Sequence, residues 1–448
     1  MTRLTINQAV AQARGSEAQV QRCFDEMDRQ PELAARVFTR QLRDQALAQA
    51  RAYDKLREQG VPLPPYAGIP ISIKDLFDME GEVTRCGSRV LDDRVPAAAD
   101  AEAVRRLRNA GFIPVGRTSM TEFAYSGLGL NPHFGTPENP WDRASGRIPG
   151  GSSSGAAVAV TDGMAVASLG TDTGGSCRIP AALCGIVGFK PTATRVPQTG
   201  VTPLSTSLDS VGPLGASVEC VAILNDILAG DAVTPLAPVK LEGLRLAVPE
   251  TLVLDGMDDT VAAAFERALQ WLKAADVRIE RIALAELGEL PAINAKGGFA
   301  AAEAWAWHRD LIAARRDVYD PNVVVRIEKG QHQGAADYID LLRARADLQR
   351  RVAAITDQYD ALLYPTVPTV APTLAELEDP ARFNDVNLLM LRNPSVANFL
   401  DRCALSLPCH APGSAPVGLM LTGETCADRR LLSIGRAVER LLDEARGA

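Results

Sequence analysis

The chain has 448 residues, of which 47 are Lys or Arg and 55 Asp or Glu, a formal net charge of −8, with 46% apolar and 23% charged residues. That balance belongs to globular proteins and excludes a disordered chain, while the acidic excess removes any general electrostatic pull toward nucleic acid or an anionic membrane. The longest charge-free apolar runs, such as Ile179–Phe189, fall well short of the ~20 residues a membrane span needs, and the N-terminus lacks the apolar core of a signal peptide, so a soluble cytoplasmic protein is expected.

Residues 5–60 are rich in Ala, Gln and Arg. Val20, Phe24 and Met27 recur there at helical spacing, which predicts two or three surface helices packing by one face. The Pro-rich stretch Val61–Pro70 ends them. It leads into a segment where Ile71 and Ile73 alternate with Ser72 and Lys74, the pattern of a strand with one apolar face. A helix over Asp100–Ala110, closed by Gly111, and a strand over Phe112–Val115 follow. Sixteen of the 36 glycines then fall between Gly127 and Gly215. That density predicts tight turns and close backbone approach, the conditions for a site built from main-chain groups. Beyond Pro213 the pattern predicts helices over Val218–Leu228, Val261–Ala274, Ala300–Ala314 and Ala335–Thr356, and strands over Leu244–Val248, Val277–Ile282, Ala361–Tyr364 and Val417–Leu421. The best linker is Asp231–Lys240, with two prolines. Helices alternating with strands predict an α/β fold, its sheet covered by helices on both sides.

The four histidines (His133, His308, His332, His410) do not pair with one another, and only Cys403, Cys409 and His410 approach a metal-ligand spacing, so no metal site is expected. The eight cysteines form no disulfide framework, and several sit in Ala/Val-rich surroundings that suit buried, reduced thiols. Gly150–Gly155 is glycine-rich, but no Gly-Lys-Ser/Thr follows, which removes a P-loop. Gly151-Ser-Ser-Ser-Gly155 satisfies the nucleophile-elbow pattern with Ser153 as nucleophile, although any Ser/Gly run can do so and no strand leads into it. A second cluster, Gly170-Thr-Asp-Thr-Gly-Gly-Ser-Cys-Arg178, lies 24 residues on. Ala156–Val160, ended by Gly163, reads as a buried helix that would return one cluster to the other. Successive N–H groups at Gly174, Gly175 and Ser176 would then converge on one oxygen, as an oxyanion hole requires. With histidine scarce, Lys74 is the alternative base, because desolvation lowers a lysine's pKa. Taken alone, Lys74 reads as a partly buried lysine paired with Asp75 or Asp78.

The segment from Pro149 to Thr192 resembles the signature of the amidase signature enzymes. Pro70–Asp78 resembles that family's lysine strand and Gly116–Phe123 its G-K-T-N-M-x-E-F turn. Asn139–Trp141, Leu208–Leu214 and Ala415–Gly423 resemble its later landmarks, so the likeness covers nearly the whole chain in the right order. It implies the family's fold, a large mixed central sheet covered on both sides by helices, in one domain over 1–448. Its parts would be N-terminal helices over 1–60, the signature core over 61–215, and over 216–448 the rest of the sheet with the pocket helices. It also implies a Ser–cis-Ser–Lys triad of Ser176 as nucleophile, Ser152 after a cis peptide bond, and Lys74. Thr173, Gly174 and Gly175 would supply the oxyanion hole together with Ser176, and Asp172 and Arg178 would brace the loop. Met120, Phe123, Tyr125, Leu128, Trp305, Trp307 and His308 flank the family's pocket segments; they read as substrate-pocket residues or equally as ordinary core. Arg117 and Ser119 depart from the family's Lys and Asn, and Ser154 stands where its second glycine pair begins.

The resemblance implies hydrolysis of a small-molecule carboxamide through a seryl acyl-enzyme, with no cofactor and no metal, no nucleic-acid or membrane partner, and a homodimer left open. Two alternatives stand beside it. One is the glutaminase subunit of a tRNA-dependent amidotransferase, although Ala300–Arg309 and Asp320–Arg326 look like stand-alone amidases. The other is an inactive binding subunit, which the presence of all three triad residues argues against.

Overall fold

A computed structural model of the protein describes residues 3–12 and 15–447. Its strands are β1 (Phe38–Gln41), β2 (Pro70–Lys74), β3 (Ile113–Thr118), β4 (Ala167–Asp172), β5 (Val187–Lys190), β6 (Ser210–Gly215), β7 (Arg245–Pro249), β8 (Arg278–Ile282), β9 (Ala361–Pro365), β10 (Ala404–Pro408) and β11 (Gly418–Thr422). They form one 11-stranded sheet in the order β1-β3-β2-β4-β6-β5-β10-β11-β9-β7-β8. The sheet is mixed: β2 runs parallel to β3 and β4, and β7 to β8 and β9, while β6, β5, β10 and β11 join the two parallel parts by antiparallel pairs.

Side-chain alternation puts a core on each face of this sheet. On β10, β11, β9 and β7, Leu405, Leu407, Leu419, Leu421, Leu363 and Leu246 pack into one apolar cluster. Their neighbours Ala404, Met420, Tyr364 and Ala247 pack into another. Helices close both. Val218–Ala229 shows how local sequence sets such a helix: the Ser217 hydroxyl accepts from the Cys220 N–H, and Gly230 ends it at φ +83°.

The elements predicted beyond Pro213 are present within a few residues of their expected limits. Asp231–Lys240 links the Val218–Ala229 helix to β7, which enters the same sheet beside β9. The N-terminal region differs from expectation, with four helices (Ile6–Ala11, Ser16–Arg29, Pro31–Val37, Arg43–Glu58) and β1 among them. β1 is only four residues long and gains its hydrogen bonds from β3, so no local periodicity announces it. The helix Pro380–Phe399 was also unannounced, because Pro394 interrupts its pattern.

Candidate active site

Strand β2 carries Lys74 at its last residue, where the side chain is fully buried. Both neighbouring carboxylates are engaged elsewhere. Asp75 pairs with the equally buried Arg117 at 2.8 Å, and Asp78 accepts from the Thr84 hydroxyl at 2.7 Å. Lys74 Nζ instead donates to Ser152 Oγ at 2.8 Å and to Thr171 Oγ1 at 3.0 Å. Burial without a contacting carboxylate lowers its pKa to about 8, against weaker upward pulls from Cys177, Asp172 and Asp209.

The glycine-rich clusters meet as the buried helix Ser154–Thr161 turns the chain back to β4. The Gly151–Ser152 bond is cis. Ser152 holds the preceding turn through its carbonyl, which accepts from Thr121 N–H at 3.1 Å, and the next residue's N–H donates to the Ser176 carbonyl at 3.2 Å. The rival nucleophile Ser153 is buried and donates to the Thr171 carbonyl at 3.4 Å. No histidine serves it: His133 faces Glu122, His308 faces Tyr319, and His332 faces Gln331. His410 sits against Gly185, at the end of the next helix.

Asp172 and Arg178 brace the loop between them, both fully buried. Arg178 Nη2 and Nε reach the two Asp172 carboxylate oxygens at 2.8 and 3.0 Å. Burial would raise the Asp172 pKa, but the Arg178 charge and the hydrogen bonds from Arg178 and Asn398 hold it far below the carboxylate range. Asp172 Oδ1 also takes the Gly175 N–H at 2.8 Å, and Oδ2 takes the Cys177 N–H at 3.1 Å. This corrects one expectation. The Gly175 N–H is spent on the brace, which leaves the N–H groups of Thr173, Gly174 and Ser176 without a hydrogen-bond partner among the described residues. Gly175 is needed for shape instead: at φ +122°, a Cβ there would stand 2.5 Å from Pro394 Cβ.

A scan against family models matches the one described as Amidase over residues 19–432. The chain belongs to the amidase family. It is 38% identical over 407 residues to the 2-amino-5-chloromuconic acid deaminase of Comamonas testosteroni, covering 89% of this chain and 87% of the relative. It is 36% identical to a glutamyl-tRNA(Gln) amidotransferase subunit of Symbiobacterium thermophilum, covering 92% and 91%. A solved structure described as an amidase superposes with a TM-score of 0.88 at 30% identity, over 99% of this chain and all of the other. The protein is therefore an amidohydrolase with the amidase fold, as the signature implied. Among the described residues no helix is long and apolar enough to cross a membrane.

In this amidase a cleft of about 630 Å³ opens beside Thr173, and the helix Pro380–Phe399 lines much of it. The expected pocket residues do not line this cleft. Phe123 packs edge-on against His308 at 4.3 Å between centroids and tilts onto Trp307, tying the turn after β3 to the helix Gly298–Arg315. Met120 is buried in that same cluster, with Tyr125 and Trp305 packed against it, while Leu128 lies under Ile148 and Ile179. These side chains pack on one another in the core. Three site residues escaped the sequence reading: Thr171 on Lys74, Asn398, whose amide donates to the Asp172 carbonyl and carboxylate at 3.0 and 2.9 Å, and Asp209, which accepts from the Thr173 hydroxyl.

Proposed function

We propose that Lys74, Ser152 and Ser176 form a Ser–cis-Ser–Lys triad that hydrolyses a small-molecule carboxamide through an acyl-enzyme on Ser176. The observation that carries this reading is the 2.8 Å bond from a buried, carboxylate-free Lys74 Nζ to Ser152 Oγ. Neutral Lys74 takes the Ser152 proton as Ser152 takes that of Ser176. Ser176 Oγ then attacks the amide carbon, and the oxyanion rests on the N–H groups of Thr173, Gly174 and Ser176, each donor worth roughly 10²–10³ in rate. The proton returns through Ser152 to the leaving nitrogen as the C–N bond breaks; water then attacks the acyl carbon, its proton passes through Ser152 to Ser176 Oγ, and the ester C–O bond breaks to release the carboxylate. The whole chain is read as one domain. Cytoplasmic residence is part of the reading, supported by seven buried free thiols among the cysteines.

Mass spectrometry of enzyme quenched during turnover should find the acyl group on the peptide carrying Ser176. Ser176→Ala should lose it, and Ser153→Ala should keep substantial activity. An active Ser176→Ala with a dead Ser153→Ala would overturn the triad. The 36% identity to the amidotransferase chain supports a second reading, a glutaminase subunit. Turnover of simple amides by the isolated chain with indifference to glutamine argues for the first reading; the reverse argues for the second.

A further inference from the structure

We infer that the cleft beside Thr173 is the acyl-binding site, and that it takes an uncharged apolar acyl chain longer than acetyl; this deepens the amidase reading and rests on it. The cleft abuts the loop that would hold the oxyanion: a Cβ on Gly174 would stand 3.5 Å from Leu391 Cδ2 and 3.9 Å from Ser395 Cβ. Its walls include Leu208, Leu252, Leu290, Leu388, Leu389 and Leu391. A volume of about 630 Å³ is that of a site for a ligand much larger than acetamide.

Several polar side chains in the lining make their hydrogen bonds inside the protein. Asn398 gives its N–H to Asp172 and its carbonyl to Arg178, Asn294 donates to the Leu290 carbonyl, and the Ser395 hydroxyl donates to the Arg392 carbonyl. Arg392 donates from Nε to Asn393 Oδ1 and from Nη2 to the Asp255 carbonyl. Among the described residues the lining carries one anion, Asp385, and one cation, Arg392, so its formal charges sum to zero. Leu388, 59% exposed, adds accessible apolar surface to the lining.

The test is kcat/KM along a series of primary amides from acetamide to hexanamide. The expected result is a rise of roughly two- to fourfold per methylene. Leu388→Asp should lower the hexanamide-to-acetamide ratio by about tenfold or more, while Val95→Asp, which lines no part of the cleft, should leave that ratio in place. Calorimetry on Ser176→Ala, which needs no turnover, should find hexanamide bound more tightly than acetamide. Acetamide turnover with no gain along the series, or a preference for the carboxylate-bearing succinamate, would overturn the inference and leave the amidase reading standing. Chain-dependent binding to Ser176→Ala with no turnover of any amide by the unsubstituted enzyme would do the opposite.

Discussion

Lys74 ends an all-buried strand, and among the described residues its only side-chain partners are two hydroxyls. A base that works neutral gives a kcat/KM that rises with pH through its folded pKa, here about 8. Lys74→Met should remove that rise and most of the rate; an active Lys74→Met with an unchanged profile would sink the assignment. Stability carries the same signature. Because the folded pKa lies below the unfolded value, the unfolded chain binds the extra proton between about 8 and 10.5. Stability therefore rises with pH through that window, and below it the full penalty of up to roughly 3 kcal/mol remains. Lys190, lowered to about 8 by burial and by Arg178, titrates alongside, so urea midpoints of Lys74→Met against the unsubstituted protein isolate the Lys74 share. The variant should be equally or more stable at pH 7, with its advantage shrinking toward pH 10. At this scale Lys74 and the two Ser/Gly clusters were legible as local anomalies, while the choice of Ser152 and Ser176 as triad candidates came from the family resemblance. Asn398 was not, since its partner Asp172 is 226 residues away and nothing near either residue names the other.

Two elements, the loop 172–178 and the helix Pro380–Phe399, are fitted to each other. The helix begins at an Asp379 cap with Pro380 in its first turn. Pro394 withholds a helical N–H, and its ring lies over Gly175 at a distance only a glycine permits. Gly175→Ala should push the loop off its donors' aim and lower kcat by roughly tenfold or more, with a smaller change in KM. Steady-state kinetics decide this, and a variant with an intact kcat would mean the loop tolerates the shift. The proline that makes this contact is also what hid the helix from its hydrophobic pattern. The aromatic cluster around Phe123 was read both as pocket and as core, because residues flanking a site and residues packed behind it have the same composition.

Across the whole molecule, the two parallel parts of the sheet are joined through β6, β5, β10 and β11. We propose that the chain unfolds as one unit, the linker-like segment 231–240 notwithstanding. Single-tryptophan variants keeping Trp141 or Trp271, which lie on opposite sides of that segment, should report the same urea midpoint; separate midpoints would divide the chain in two. The sheet and its two covering layers were legible from alternating elements. The strand order was not, because hydrophobic alternation states which residues are buried and is silent on which strands adjoin.

That order has a consequence during synthesis. Strand β5 pairs with β6 on one side, but its other edge waits for β10, about 210 residues later. At ribosomal rates of roughly 5–20 residues per second the wait is roughly 10–40 s. Over that interval an apolar strand edge in the middle of the future sheet stands open, and an open edge is a template for pairing with the wrong chain. Crowding on a polysome multiplies those neighbours, so whatever shields Val187–Lys190 until Ala404 emerges guards the chain against that mispairing.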